Sequence, residues 1–152
     1  MHSDLLPLKV EGDGKAPAGV FELGIAFGNE TKVPNSTWAY KVMTKNDIFI
    51  DDSMSEFYNR FQKKSSIKKD WNSFEELKRQ DGLYNKAVVI NHNMSPVKPG
   101  GGSAIFLHIW RSKTSATRGC TAMSVDNITS IIAWLKKESY PLLIQLPSNF
   151  AI

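Results

Sequence analysis

Gly101-Gly102-Ser103-Ala104-Ile105-Phe106-Leu107-His108-Ile109-Trp110 is the stretch on which the reading of the fold turns. After the glycines, residues 104–109 form a continuous apolar run broken only by His108. A strand with one wet face alternates; an unbroken apolar run of strand length is the pattern of a strand buried on both faces. Ala87-Val88-Val89-Ile90 has the same character. The two runs predict central strands. Working outward, residues 20–27, 38–43 and 47–50 read as further strands, and residues 142–146, after Pro141, as a closing strand. The Gly- and Pro-rich stretches at 12–19 and 95–102 read as loops, since Gly supplies φ > 0 and Pro fixes φ.

Helices are fewer. Residues 125–138 predict one long packed helix: Ser124 is placed as N-cap, Asp126 suits the positive end of the dipole, and Ile128, Ile131, Ile132 and Leu135 form one stripe. Ser73-Phe74-Glu75-Glu76 has the form of a capping box and predicts a short helix to about Gln80. Residues 52–82 as a whole read as a partly helical insertion. The expected fold is mainly β with helices, in a single domain over residues 1–152, a length that suits one core.

Composition narrows the function. Hydrophobic residues at 41% and charged residues at 22% fit a globular chain rather than a disordered one. No apolar run approaches the roughly 20 residues of a membrane helix, so no membrane span is expected in this chain. Residues 1–7 lack the basic and apolar regions of a signal peptide. A single cysteine, Cys120, excludes an internal disulfide, a redox pair and a cysteine-rich zinc site. His2, His92 and His108 have no metal-ligand spacing, so no metal site is expected. The net charge of +4 concentrates around residues 60–79. That cluster reads as a solvated face or as a surface for polyanions. No zinc-finger or RNA-binding signature accompanies it, and nucleic acid is not expected as a partner.

The chemistry is carried by His108 and by Thr117-Arg118-Gly119-Cys120. A histidine near the end of a buried strand is followed twelve residues later by a cysteine in a glycine loop. A cysteine must lose its proton to be a nucleophile, and a histidine within reach can take it. Gly119 permits a tight turn that can aim the Gly119 and Cys120 N–H groups at a developing oxyanion. Spacing alone leaves a second reading open: Cys120 as a small buried hydrophobe and His108 as a satisfied core histidine.

Thr117-Arg118-Gly119-Cys120 resembles the Ser/Thr-x-Gly-Cys signature of the L,D-transpeptidase catalytic domain, with His108 matching its upstream histidine. Gly12-Asp13-Gly14-Lys15-Ala16-Pro17-Ala18-Gly19-Val20-Phe21 is similar to the loop by which that family enters its sheet. Asp51-Asp52, Tyr58-Asn59 and Gly102–His108 also follow the family's pattern and order. The resemblance runs from about Gly12 to Leu146. It implies a β-sandwich-like catalytic fold and peptidoglycan stem peptides as substrate. It implies that Cys120 attacks the amide before the terminal D-Ala of a stem tetrapeptide, and that His108 serves first as base and then as acid. An amine of a second stem then resolves the thioester into a 3→3 cross-link. Resolution by water makes the same site an L,D-carboxypeptidase, and a non-catalytic wall-binding module is the remaining alternative. Inactivation by carbapenem-type compounds, a periplasmic or cell-wall location and no need for a cofactor are implied with it.

The sequence departs from the family pattern in three ways. Arg118 stands where many members have histidine, which leaves His108 as the base. The loop from His108 to Cys120 is short. The chain starts almost at the Gly-Asp-Gly motif, so an N-terminal truncation is expected, with an export signal or anchor encoded upstream of Met1 or a boundary made by cloning. For substrate binding, Arg118 is a candidate carboxylate holder and Thr117 stands beside it. Trp110 is set between groove and core, and Asn91 between the site and a turn. Asp51, Asp52, Tyr58 and Asn59 are expected to be structural.

Overall fold

The structure, a computed structural model, describes residues 8–31 and 33–147. His2 and the ends of the 1–152 span lie outside the described residues. Among the described residues, nine strands, one α-helix and one 3-10 turn follow in the order β1 (Gly19–Gly28), β2 (Tyr40–Val42), β3 (Asp47–Ile50), β4 (Phe61–Lys63), β5 (Phe74–Glu76), β6 (Lys86–Ile90), β7 (Phe106–Ile109), β8 (Thr121–Met123), α1 (Val125–Trp134), a 3-10 turn (Lys137–Ser139) and β9 (Leu142–Gln145). The larger sheet has the order β2-β1-β6-β7-β8, with β9 added beside the first half of β1. The smaller sheet is β4-β3-β5.

The unbroken apolar runs have the predicted cause. In β6, Val88 and Ile90 face α1, where they pack with Leu107, Ile128, Ile132 and Leu135. Ala87 and Val89 face the other way, toward Phe27, Met43, Phe49 and Phe106 between the two sheets. A sheet covered on both faces offers no wet side, so its central strands need no polar alternation. β6 and β7 are antiparallel neighbours with Ala87 opposite His108. The result is a helix, a sheet and a second sheet in three layers, a mainly β fold.

Three expectations need correction. Residues 73–80 do not form a helix: Phe74–Glu76 is β5, paired with β3 in the register Ile50 to Phe74 and Ile48 to Glu76. β3 is buried along its whole length. Its backbone groups need partners on both edges, and that demand overrides a local capping pattern. Residues 52–82 therefore hold turns, β4 and β5, with no helical turn among them. The long helix starts as predicted, with the Ser124 side chain accepting from Asn127 N–H, but it ends at Trp134. Leu135 leaves the helical conformation and is wholly buried, while Trp134 stays exposed. The residue before Pro141 is disfavoured in a helix, and Tyr140 turns in the left-handed region to feed β9.

Part of the basic cluster is paired. Lys63 reaches the buried Asp47 at 2.7 Å, Lys64 bonds Glu76, and Arg79 clamps Asp81 at 2.5 Å.

Candidate active site

β7 and β8 run parallel, with His108 opposite Ala122. Cys120 stands two residues before Ala122, so the period of a strand places Cys120 and His108 on the same face. It is the face shared by Phe106, beyond the cover of the smaller sheet. Both residues open into a cleft of about 780 Å³. Glu11, Asp51 and Glu75 contribute acids to its walls, and Arg79, Arg111 and Arg118 contribute cations.

The thiol is half-buried and has two backbone partners. Cys120 Sγ donates to Ala104 O at 3.4 Å and accepts from Phe106 N–H at 3.4 Å. Ala104 sits at φ 52°, a left-handed turn at the entrance to β7, and its N–H is held by Asn59 Oδ1 at 3.1 Å. Burial pushes the thiol up to about 11; the charge of Glu75 adds to this, while the Phe106 N–H and the Tyr84 hydroxyl work against it. The cysteine therefore rests as a thiol at neutral pH.

His108 is nearly buried, with Nδ1 2.7 Å from Ile109 O. A carbonyl only accepts, so Nδ1 carries the proton of the neutral ring and Nε2 keeps its lone pair. Burial lowers the imidazole's affinity for a second proton; the Ile109 contact opposes this, and the charge of Arg79 reinforces it. The Tyr84 ring stands edge-on to the imidazole at 5.2 Å. The resting pair is neutral thiol and neutral imidazole, with the thiol bonded to Ala104 rather than to His108.

Thr117 and Gly119 shape the loop. Thr117 Oγ1 donates to Cys120 O at 2.6 Å and accepts from Gly119 N–H at 3.3 Å. The Gly119 N–H, expected to face an oxyanion, is turned toward Thr117 instead. Gly119 adopts φ 125°, and a Cβ there would lie 3.0 Å from Lys15 O. Glycine is required both by the conformation and by the close pass of the 12–19 loop.

Arg118, Thr117 and Trp110 all line the cleft. Arg118 is exposed and makes no ion pair among the described residues. Asn91 is not brought to the cleft. Because β6 and β7 are antiparallel, the end of β6 lies beside the start of β7, away from His108; Asn91 Oδ1 packs against Gly24 instead. Tyr58 and Asn59 tie loops together: Tyr58 OH bonds Glu11 and accepts from Gly102 N–H at 3.1 Å. Asn59 Nδ2 donates to His92 O and Asn93 O. Asp52 holds Asn72 N–H at 2.7 Å and Met54 N–H at 3.0 Å. Asp51, by contrast, lines the cleft. Sequence reading missed Tyr84, Glu75 and Arg79 as site residues. Glu75 was assigned to a helix, and Tyr84 carries no motif; the one local signal is the close spacing of Arg79 and Asp81.

The sequence pattern of the YkuD L,D-transpeptidase catalytic domain matches residues 8–144. No curated protein and no solved structure matches the chain. The matched span takes in the smaller sheet, the helix, all but the last residue of the larger sheet and every residue of the cleft, and on that ground the chain belongs to the L,D-transpeptidase catalytic-domain family.

Proposed function

We propose that the protein is a cysteine acyltransferase acting on peptidoglycan stem tetrapeptides outside the cytoplasmic membrane. The family's members act on peptidoglycan peptides. The observation that carries the reading is the convergence of His108, from β7, and Cys120, from the loop leading into the neighbouring β8, on one cleft with charged walls.

The neutral pair dictates the order of events. As Cys120 Sγ bonds to the carbonyl carbon before the terminal D-Ala, its proton passes to His108 Nε2. The carbonyl π pair moves onto oxygen, where the Cys120 N–H is the nearest candidate donor, since Thr117 occupies Gly119 N–H. Collapse of the tetrahedral species breaks the C–N bond. The imidazolium hands its proton to the departing D-Ala nitrogen, leaving a thioester. His108 then accepts a proton from the acceptor amine as it attacks, and returns it to the thiolate when the C–S bond breaks. Arg118 offers its guanidinium to a substrate carboxylate. Trp110 lines the same groove.

Intact-mass measurement with a purified tetrapeptide tests this, with and without an amine acceptor. The expected results are an acyl-enzyme on Cys120 and, with acceptor present, a cross-linked dimer. Release of tripeptide with no dimer assigns water as the acceptor. No acyl-enzyme and no turnover would leave a wall-binding role.

A further inference from the structure

The mechanism above uses the two reacting side chains and leaves unassigned the largest group that touches them. Tyr84 is 6% exposed and sits between the sheets, with its ring edge-on to Phe27 at 6.0 Å, Phe106 at 5.5 Å and His108 at 5.2 Å. Arg79 lies over the same ring at 5.2 Å. Arg79 cannot swing away easily: its Nε donates to Asp81 Oδ1 at 2.9 Å and its Nη2 to Oδ2 at 2.5 Å, with Glu75 3.5 Å from Nη1. Tyr84 is thus gripped by two aromatic rings and a clamped guanidinium. Cys120 packs against the same cluster and lines the same cleft as Tyr84.

A buried tyrosine held this tightly suits two tasks. An imidazole bonded only through Nδ1 can still swing about that contact. A ring packed at a steep angle beside it restricts that freedom and favours one orientation of Nε2. A phenol, whose own ionisation burial pushes far up, remains a donor at every working pH and can only stabilise charge developing on sulfur. We propose that Tyr84 is a further catalytic residue of this site, its ring fixing the His108 imidazole and its hydroxyl donating to Cys120 Sγ as the thiolate forms. The inference deepens the acyltransferase reading and rests on it for the words "catalytic residue", but its physical content concerns the thiol and the imidazole alone.

Two variants separate ring from hydroxyl. Tyr84→Phe keeps the packing and removes the donor. Tyr84→Leu keeps apolar bulk and removes the aromatic edge. The first readout needs no substrate: alkylation of Cys120 by iodoacetamide as a function of pH. Glu75 and Lys9 also bear on the thiol's charge and His108 shares its cleft, so each profile is compared with wild type and not with a free thiol. In Tyr84→Phe the alkylation rate at pH 8 is expected to fall about threefold to tenfold, the worth of one hydrogen bond, and its rise with pH to shift upward. The second readout is the His108 ring tautomer by imidazole nitrogen NMR. Tyr84→Phe should keep the Nδ1–H form, and Tyr84→Leu should give a mixture. The third is tetrapeptide turnover, where Tyr84→Phe should lower kcat with KM little changed. Wild-type alkylation and kcat in Tyr84→Phe would overturn the hydroxyl's role. An unchanged tautomer in Tyr84→Leu, folded by circular dichroism, would overturn the ring's. If wild type fails to turn over the tetrapeptide while both substrate-free shifts occur, the acyltransferase reading has failed and the coupling of Tyr84 to the two side chains stands.

Discussion

His92 and His108 occupy opposite corners of one antiparallel strand pair, and their surroundings are alike in kind. Each ring is largely out of water, each is bonded to a backbone carbonyl, and each has an aromatic edge against it, Phe21 at 5.8 Å for His92 and Tyr84 at 5.2 Å for His108. Burial lowers the pKa of both. The difference lies in which nitrogen is spent. His92 uses Nε2, its outer tip, to hold Gly101 O at 2.8 Å. His108 uses Nδ1, close to its own backbone, and keeps the tip for the cleft. Residue type and burial therefore do not distinguish a catalytic histidine from a loop-holding one; the hydrogen bond that fixes the tautomer does.

The comparison is broken most directly at the shared partner of the catalytic corner. Cys120→Ser preserves size but raises the nucleophile's pKa far beyond what a neutral imidazole can remove. Acylation by tetrapeptide should fall by at least about a thousandfold, as in other nucleophile–base units, with little change in melting temperature. Retained turnover would falsify the nucleophile assignment. A carbapenem, whose strained amide a thiolate opens, should add one equivalent to wild type and none to Cys120→Ser by intact mass.

His108→Ala removes the base and should slow acylation by about a hundredfold to ten-thousandfold, the usual range for a lost general base. The pH profile sharpens the point. His108 works in its neutral form, and burial holds its pKa below 6.5. Acylation should thus be flat above that value and fall about tenfold per unit below the histidine's own pKa. Alkylation by a small reagent needs no base and should rise across the whole range toward about pH 11, the value to which burial pushes the thiol. Coincident profiles would mean a preformed thiolate–imidazolium pair and would refute the neutral resting state.

How much of this was legible beforehand follows from where each signal resides. The central strands were read correctly because a sheet covered on both faces writes an apolar run into the chain, as in residues 87–90 and, His108 apart, 106–109. The start of α1 was legible because Ser124 caps it locally. Its end was not, because Leu135 leaves the helix to fill a hole made by distant strands. Residues 73–76 carry a local helix signal that pairing with β3 overrides. In the cleft, Cys120 and His108 were visible through a motif. Tyr84 and Glu75 reach the site only through packing and have no motif at all. Asn91 was placed by proximity of strands, and strand direction sends it the other way.

Asn59 tests how far the two corners are mechanically joined. Its side chain holds His92 O at 3.0 Å, Asn93 O at 2.8 Å and Ala104 N–H at 3.1 Å, so it ties the His92 loop to the residue whose carbonyl accepts the Cys120 S–H hydrogen bond and, through Cys120, to the catalytic corner. Asn59→Ala leaves buried backbone groups without partners and should cost about 2–4 kcal/mol of unfolding free energy, at roughly 1–3 kcal/mol for each group left unsatisfied and with partial relief from water. Denaturant melts give the number. A loss below about 0.5 kcal/mol, the spread of ordinary surface substitutions, would mean that the loop is held by its own turns.

The smallest effect on chemistry is expected at His92 itself. With Nε2 committed to Gly101 O and no place in the cleft wall, the ring has no route to the thiol. His92→Ala should leave acylation within about threefold of wild type, less than one ordinary hydrogen bond's worth of transition-state energy. Its mark should appear in stability. A histidine whose folded pKa is depressed is favoured in its neutral form, so the unfolded chain binds more protons as pH falls below 6.5. The contribution is fully present above pH 6.5 and is lost as pH drops through the window down to the folded pKa. Removing His92 should therefore flatten part of the acid-side decline in unfolding free energy measured from pH 7 to pH 5, while the acylation profile over the same window keeps the wild-type shape. If His92→Ala slowed acylation as much as His108→Ala, the assignment of roles by tautomer would be wrong. If it left the stability slope unchanged, His92 would be titrating freely in spite of its burial.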